Sequence, residues 1–225
     1  MEEELIQKIV RSKRRSLGLE ITPEACLIIR APMRISLEDI HRIIKKKMSW
    51  ILKKKQRAKE KYRPVIKHQF VEGEEFLYLG QPYKLCVLPQ AKARFQFDGE
   101  KFLLADAYQS HAKRLLTQWY AKQAVAFIPE KVKAFANLAG VSYSRITITS
   151  ARTRWGSCTS QKSLNFSWRL MMAPQKMIDY VIVHEVCHLQ ELNHSRRFWK
   201  KVENLMPDYK QRQQWFRDQQ YMLAV

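Results

Sequence analysis

No stretch of this sequence is apolar for long enough to span a membrane, and the mean hydropathy of −0.43 agrees. Cysteine is scarce and scattered. Cys26, Cys86, Cys158 and Cys187 form no C-x-x-C pair, which excludes a disulfide scaffold and a zinc ribbon built from cysteine. Four ordinary, mostly buried thiols are expected instead. The opening Met-Glu-Glu-Glu is acidic, whereas a secretory signal is basic and then apolar, so a cytoplasmic location is expected. Acids are the other shortage: 21 Asp+Glu stand against 41 Lys+Arg, a formal net charge of +20. Hydrophobic residues still make up 46% of the 225 and aromatics 11%, so this is no disordered basic tail. The length suits one large domain or two small ones.

The positive charge is concentrated. Residues 41 to 67 hold twelve Lys/Arg and one acid, Glu60, which is +11 of the +20. Two triple-lysine blocks, Lys45-Lys46-Lys47 and Lys53-Lys54-Lys55, repeat eight residues apart. Ser36 and Asp39 form a helix-start signal. Ile40, Ile43, Ile44, Met48, Ile51 and Leu52 then recur at helical spacing, and Pro64 ends the run. The helix therefore has a buried stripe and a lysine-rich outer face. That face either keeps the chain soluble or contacts phosphates of DNA or another polyanion.

Around this helix the sequence is β-rich. Residues 16 to 30 read as two strands about a turn near Thr22-Pro23. Residues 75 to 104 read as several strands, with Asp98-Gly99 a hairpin signal. Residues 107 to 138 are helical, interrupted at Ile128-Pro129 and ending near Gly140. Strands are expected at 145–149 and 163–170, a helix from Pro174 through Glu191, and one or two helices around Met206-Pro207. The expected fold is α+β: a β-rich basic region over 1–105, then a catalytic domain over 106–225.

One pattern carries chemistry. His184-Glu185-Val186-Cys187-His188 lies on the expected 174–191 helix. Histidines at i and i+4 are neighbours on one face, about 5–6 Å apart at Cβ, so both imidazoles can reach one Zn²⁺. Glu185 is placed to act on a water without taking the metal. His194 offers a third ligand, but a continuous helix would turn it some 120° away from His188. The helix must therefore break between Leu189 and His194, with Asn193 suited to a left-handed turn. With six His in the chain, a chance H-E-x-x-H arises roughly once in a hundred such sequences. Three His ligands leave one position open for water. One zinc per chain, with Glu185 as general base, predicts hydrolysis of a peptide or similar amide bond.

Thr153-Arg154-Trp155-Gly156-Ser157-Cys158, then Leu164 to Leu170, Ala173-Pro174, Ile178 to Leu189, Asn193-His194-Ser195-Arg196-Arg197-Phe198-Trp199 and Met206-Pro207-Asp208-Tyr209 together closely resemble the YgjP-like metal-dependent hydrolases. The resemblance is strongest over 150–215. It implies a zincin-type metallopeptidase core, a twisted sheet packed on the H-E-x-x-H helix. It also implies His184, His188 and His194 as metal ligands and Glu185 as base. Glu191 stands where metzincins carry glycine, and no Met-turn is present, so that label is declined. The continuation from His194 to Phe198 is also similar, over a short stretch, to the SprT-like, Spartan-type proteases that cut proteins crosslinked to DNA.

Further candidates are Arg154 and Tyr209 as oxyanion donors and Asp208 as an added ligand, a helix cap or a partner of a ligand. Leu164, Asn165 and Phe166 are candidates for a strand edge that pairs with an extended substrate. The expected function is a zinc peptidase acting on a peptide or protein. The alternatives are a DNA-associated protease, a nucleic-acid-binding protein with a structural zinc, and a hydrolase of non-protein amides.

Overall fold

Leu27, Ile29 and Ala31 alternate along one segment, and Ile40, Ile44 and Ile51 recur at helical spacing in the next. All six are fully buried together. They form the core of the first of two compact units, Met1–Pro64 and Val65–Val225. A computed structural model describes residues 6–22, 24–61, 68–89 and 93–223. The turn expected near Thr22-Pro23 is present, with the Ala25 amide donating to the Thr22 carbonyl at 2.9 Å; Pro23 itself and the helix stop expected at Pro64 lie outside the described residues.

In the first unit, β1 (Ile6–Ser12), β2 (Gly18–Ile21) and β3 (Leu27–Pro32) form a sheet in the order β1-β3-β2. The sequence alone indicates no strand at β1, because Lys8 and Arg11 break up its apolar alternation. Helix α1 (Leu37–Lys61) follows. Its start is as expected: the Ser36 hydroxyl accepts from the Asp39 amide at 3.0 Å and donates to the Asp39 carboxylate at 2.7 Å.

The second unit begins with a four-stranded sheet of β4 (Glu75–Tyr78), β5 (Gln81–Leu88), β6 (Phe95–Phe97) and β7 (Phe102–Ala105), in the order β4-β5-β7-β6. Then come α2 (Ala112–Ala139) and a three-stranded sheet of β8 (Arg145–Thr149), β9 (Gly156–Cys158) and β10 (Ser163–Ser167). The helices α3 (Gln175–His188), α4 (Arg196–Leu205) and α5 (Tyr209–Gln219) complete it. Among the described residues no helix is long and apolar enough to cross a membrane.

Three expectations differ from this architecture. The division falls at Pro64/Val65 rather than near residue 105, because the first sheet of the second unit shares one core with α2 and α3. Phe102 meets Trp119 at 5.0 Å between ring centroids, and the Tyr120 hydroxyl donates to the Leu77 carbonyl. Helix α2 also runs unbroken through Pro129. Leu116, Tyr120, Ala124, Ile128, Val132 and Ala136 keep a four-residue rhythm of burial across it. That burial, worth about 1.5–3 kcal/mol for each large apolar side chain, outweighs the roughly 3 kcal/mol a mid-helix proline costs. Finally, all four cysteines are free but only Cys187 is buried; the others are half-buried.

The β4–β5 turn locks the first sheet of this unit to the start of α3. Gly80 has φ +83°, and a Cβ there would lie 2.7 Å from both Cα and Cγ of Pro174. Gly80→Ala should therefore lower stability by about 2 kcal/mol or more, combining a left-handed backbone with a clash. Gly99→Ala, at φ +106° with nothing within 4 Å, should cost less. Urea melts of the two variants make the comparison; equal losses would mean that contact with Pro174 contributes nothing.

Candidate metal centre

The apolar residues of α3 set the site. Ile178, Val181, Ile182 and Val186 are buried in the main core, so the helix is held rigidly along its length. His184, Glu185 and His188 follow on its last turn and a half. The helix ends at His188 instead of continuing through Glu191, and its last turn is closed by the Leu189, Gln190 and Glu191 amides bonding back to Val186 and Cys187. The chain then reverses before α4. Asn193 is not among the left-handed residues. Its Oδ1 instead accepts from the Ser195 amide at 3.1 Å, and Ser195 caps α4 through the Phe198 amide at 3.3 Å. This double turn brings His194 back over the helix.

The result is a triangle of imidazole nitrogens. Nε2 of His184, His188 and His194 are separated by 3.2, 3.2 and 3.0 Å. These contacts cannot all be hydrogen bonds, because a ring nitrogen that carries a proton has no in-plane lone pair left to accept one. At least one contact must oppose like groups. A cation removes that conflict. A tetrahedral zinc with bonds of 2.0–2.1 Å would space its nitrogens about 3.3 Å apart, close to what is present. The residues therefore fit such an ion, and among the described residues this is the group that could hold a metal. His188 is already oriented as a ligand, since its Nδ1 donates to the Glu191 carbonyl at 2.8 Å and leaves the Nε2 lone pair forward.

Electrostatics agree with the geometry. Burial first, then the neighbouring His188 and His194, pushes the His184 imidazole down to about 3. Burial likewise lowers His188. Both rings stay neutral at neutral pH, the form that binds metal. Phe198, fully buried, supports all three rings: it stacks on His188 at 4.3 Å between centroids and meets His184 and His194 at 4.9 Å each. Trp199 stacks on His194 at 5.6 Å and on Tyr209 at 5.3 Å.

Glu185 packs against β9 and lines one cavity with His184. A Cβ on Gly156 would lie 2.6 Å from its Cγ and 2.7 Å from its Oε1. Only glycine leaves room for the carboxylate there. Its Oε2 is buried without a hydrogen-bond partner, and burial pushes its carboxyl up to about 8. A dication held nearby would favour the carboxylate and draw that value down. A cavity of about 260 Å³ opens here, with Trp155, Gly156, Tyr180, His184, Glu185 and Arg217 among its lining.

The remaining candidates are placed elsewhere. Arg154 is exposed and lines, with Thr149, Ser157 and Asn165, an adjoining cavity that shares Trp155 and Gly156 with the histidine cavity. Asp208 bonds Arg212 at 2.9 Å, has no side-chain capping bond and is not part of the histidine group. Tyr209 is buried behind Trp199 and, unlike Tyr180, does not line the histidine cavity. The Tyr180 phenol is raised by burial and stays a donor at neutral pH. Leu164, Asn165 and Phe166 require correction as a substrate edge. Their strand, β10, is central, parallel to β8 on one side and antiparallel to β9 on the other, so both its edges are occupied. The edge strand beside the site is β9. Its three residues Gly156-Ser157-Cys158 carry no apolar alternation, which is why sequence reasoning passes over it.

Comparison with known proteins gives one family. The model described as YgjP-like, metallopeptidase domain, matches residues 15–219. No curated protein matches the chain. Among solved structures, the crystal structure of the metallopeptidase zymogen of Pyrococcus abyssi abylysin is similar at 16% identity, covering 42% of this chain and 96% of that one, with a TM-score of 0.38.

Proposed function

The chain belongs to the YgjP-like metallopeptidases, and from that premise we propose a zinc-dependent peptidase in which His184, His188 and His194 hold one Zn²⁺ and Glu185 is the general base. The observation that carries this reading is the triangle of three Nε2 atoms beside a buried, unpartnered carboxylate oxygen. When bound, zinc would supply Lewis acidity and activate water at neutral pH.

The chain's own residues do the rest. His184 and His188 are kept neutral by burial, and Phe198 packs against all three rings. Glu185 accepts the proton of the attacking water at a carboxylate oxygen and delivers it to the leaving amine. An extended substrate adds to the free edge of β9, which sets its scissile carbonyl beside Glu185. Tyr180 and Arg217, in the wall of the cavity, are the donors best placed for a developing oxyanion. A purely structural metal is the weaker reading, because structural zinc sites are closed by four protein ligands. Among the described residues, no fourth His, Cys, Asp or Glu joins the three histidines.

Metal analysis tests the ligand set. Purified full-length protein should hold about one zinc per chain, and His194→Ala should lose it. Stoichiometric zinc in the His194→Ala protein would remove His194 from the site.

A further inference from the structure

We propose that the outer face of α1 binds single-stranded nucleic acid, with its cations along the phosphates and Trp50 stacked on an unpaired base. This goes beyond the peptidase reading and does not depend on it. From Ile40 to Ala58 the helix carries eight cations (Arg42, Lys45, Lys46, Lys47, Lys53, Lys54, Lys55 and Arg57) and no acid. A helix stabilised for its own sake would interleave acids at i,i+4. Among the described residues, the one ion pair on α1 is that of Arg42 with Asp39; the lysines have none. Lys45, Lys46, Lys47, Lys53 and Lys54 are all exposed. A row of cations from Lys45 to Arg57 about 18 Å long, at 1.5 Å of rise per residue, meets the charge pattern of a phosphate backbone.

Trp50 separates nucleic acid from other polyanions. It is 42% exposed on a helix whose apolar stripe is already buried. Lys54 lies over its ring at 5.8 Å, and Lys46, Lys47 and Lys53 stand within one turn of it. A large flat apolar ring inside a lysine field fits a base stacked between phosphate contacts. It does not fit insertion into a lipid surface, which needs a continuous apolar face. Ile40, Ile44 and Ile51 are fully buried inside the unit. The exposed Leu52 lies about 200° around the helix from Trp50, so the exposed apolar residues do not join.

Fluorescence anisotropy on the full-length protein tests this with three probes. They are a labelled 20-nucleotide thymidine strand, a duplex of the same length and vesicles containing phosphatidylserine. The strand should bind with an affinity that falls steeply as salt rises. Trp50→Ala should weaken strand binding by about five- to a hundredfold and leave duplex binding within about twofold. Reversing Lys46, Lys47, Lys53 and Lys54 together to Glu should weaken binding by at least about tenfold, with the circular dichroism spectrum and metal content unchanged. Absent strand binding at low salt, an unaffected Trp50→Ala protein, or vesicle binding as tight as strand binding would each overturn the proposal.

Discussion

Glu185→Gln should keep about one zinc per chain and lose peptide hydrolysis by about a hundred- to ten-thousandfold. Gln has nearly the same shape, and Glu185 is 6% exposed, so the slot beside β9 remains filled. The three histidine nitrogens belong to other side chains and should be undisturbed. What disappears is the ability to take a proton at that position. The loss should fall on kcat more than on KM, because the interaction is made in the transition state. The two readouts are metal content by mass spectrometry and cleavage of a fluorescent unfolded protein. Hydrolysis within tenfold of the parent would mean that another group is the base. Loss of zinc along with activity would mean that Glu185 builds the site rather than working in it.

The second large effect comes from a residue without a side chain. Gly156→Ala places a methyl carbon 2.6 Å from Cγ of Glu185 and 2.9 Å from its Cδ, so the carboxylate must move. Gly156 lacks the positive φ of the turn glycines, and alanine suits its backbone. The fold and the zinc should therefore survive while the base is displaced. A shift of about 1 Å at a reacting group costs roughly a hundredfold in rate. Activity should fall by about that factor, with unchanged metal content and a smaller loss of stability than in Gly80→Ala, where a left-handed backbone adds to the clash. Combining Gly156→Ala with Glu185→Gln isolates the cause. If Gly156 acts through the carboxylate, the double variant should be no slower than Glu185→Gln alone. Multiplying losses would point to a separate effect on substrate at the β9 edge.

What is legible in the sequence follows physical periodicity. His184 and His188 sit four residues apart on a strongly apolar helix, and the 100° step alone requires the break that brings His194 back. The long α1 stripe and the Ser36 cap are equally local. Features that depend on a partner elsewhere in the chain are hidden. Ser163 to Ser167 looks the same whether it is central or at an edge, because burial on both sides is decided by β8 and β9. Pro129 reads locally as a helix stop, and only the core beneath Ile128 and Val132 overrides it. Gly156 carries no signal of the carboxylate that needs its space, since Glu185 lies 29 residues further on. The division near residue 105 follows a change of composition, whereas the units follow shared burial.

Phe198 touches all three imidazoles and is itself part of the main core. The orientational freedom of the histidines is therefore lost when the protein folds, not when an ion arrives. That separates this centre from small zinc modules, in which metal binding and folding are one event. Here the affinity for an ion need not also overcome the disorder of its ligands, so the fold should persist when the ion is removed, although a bound ion would still add to its stability.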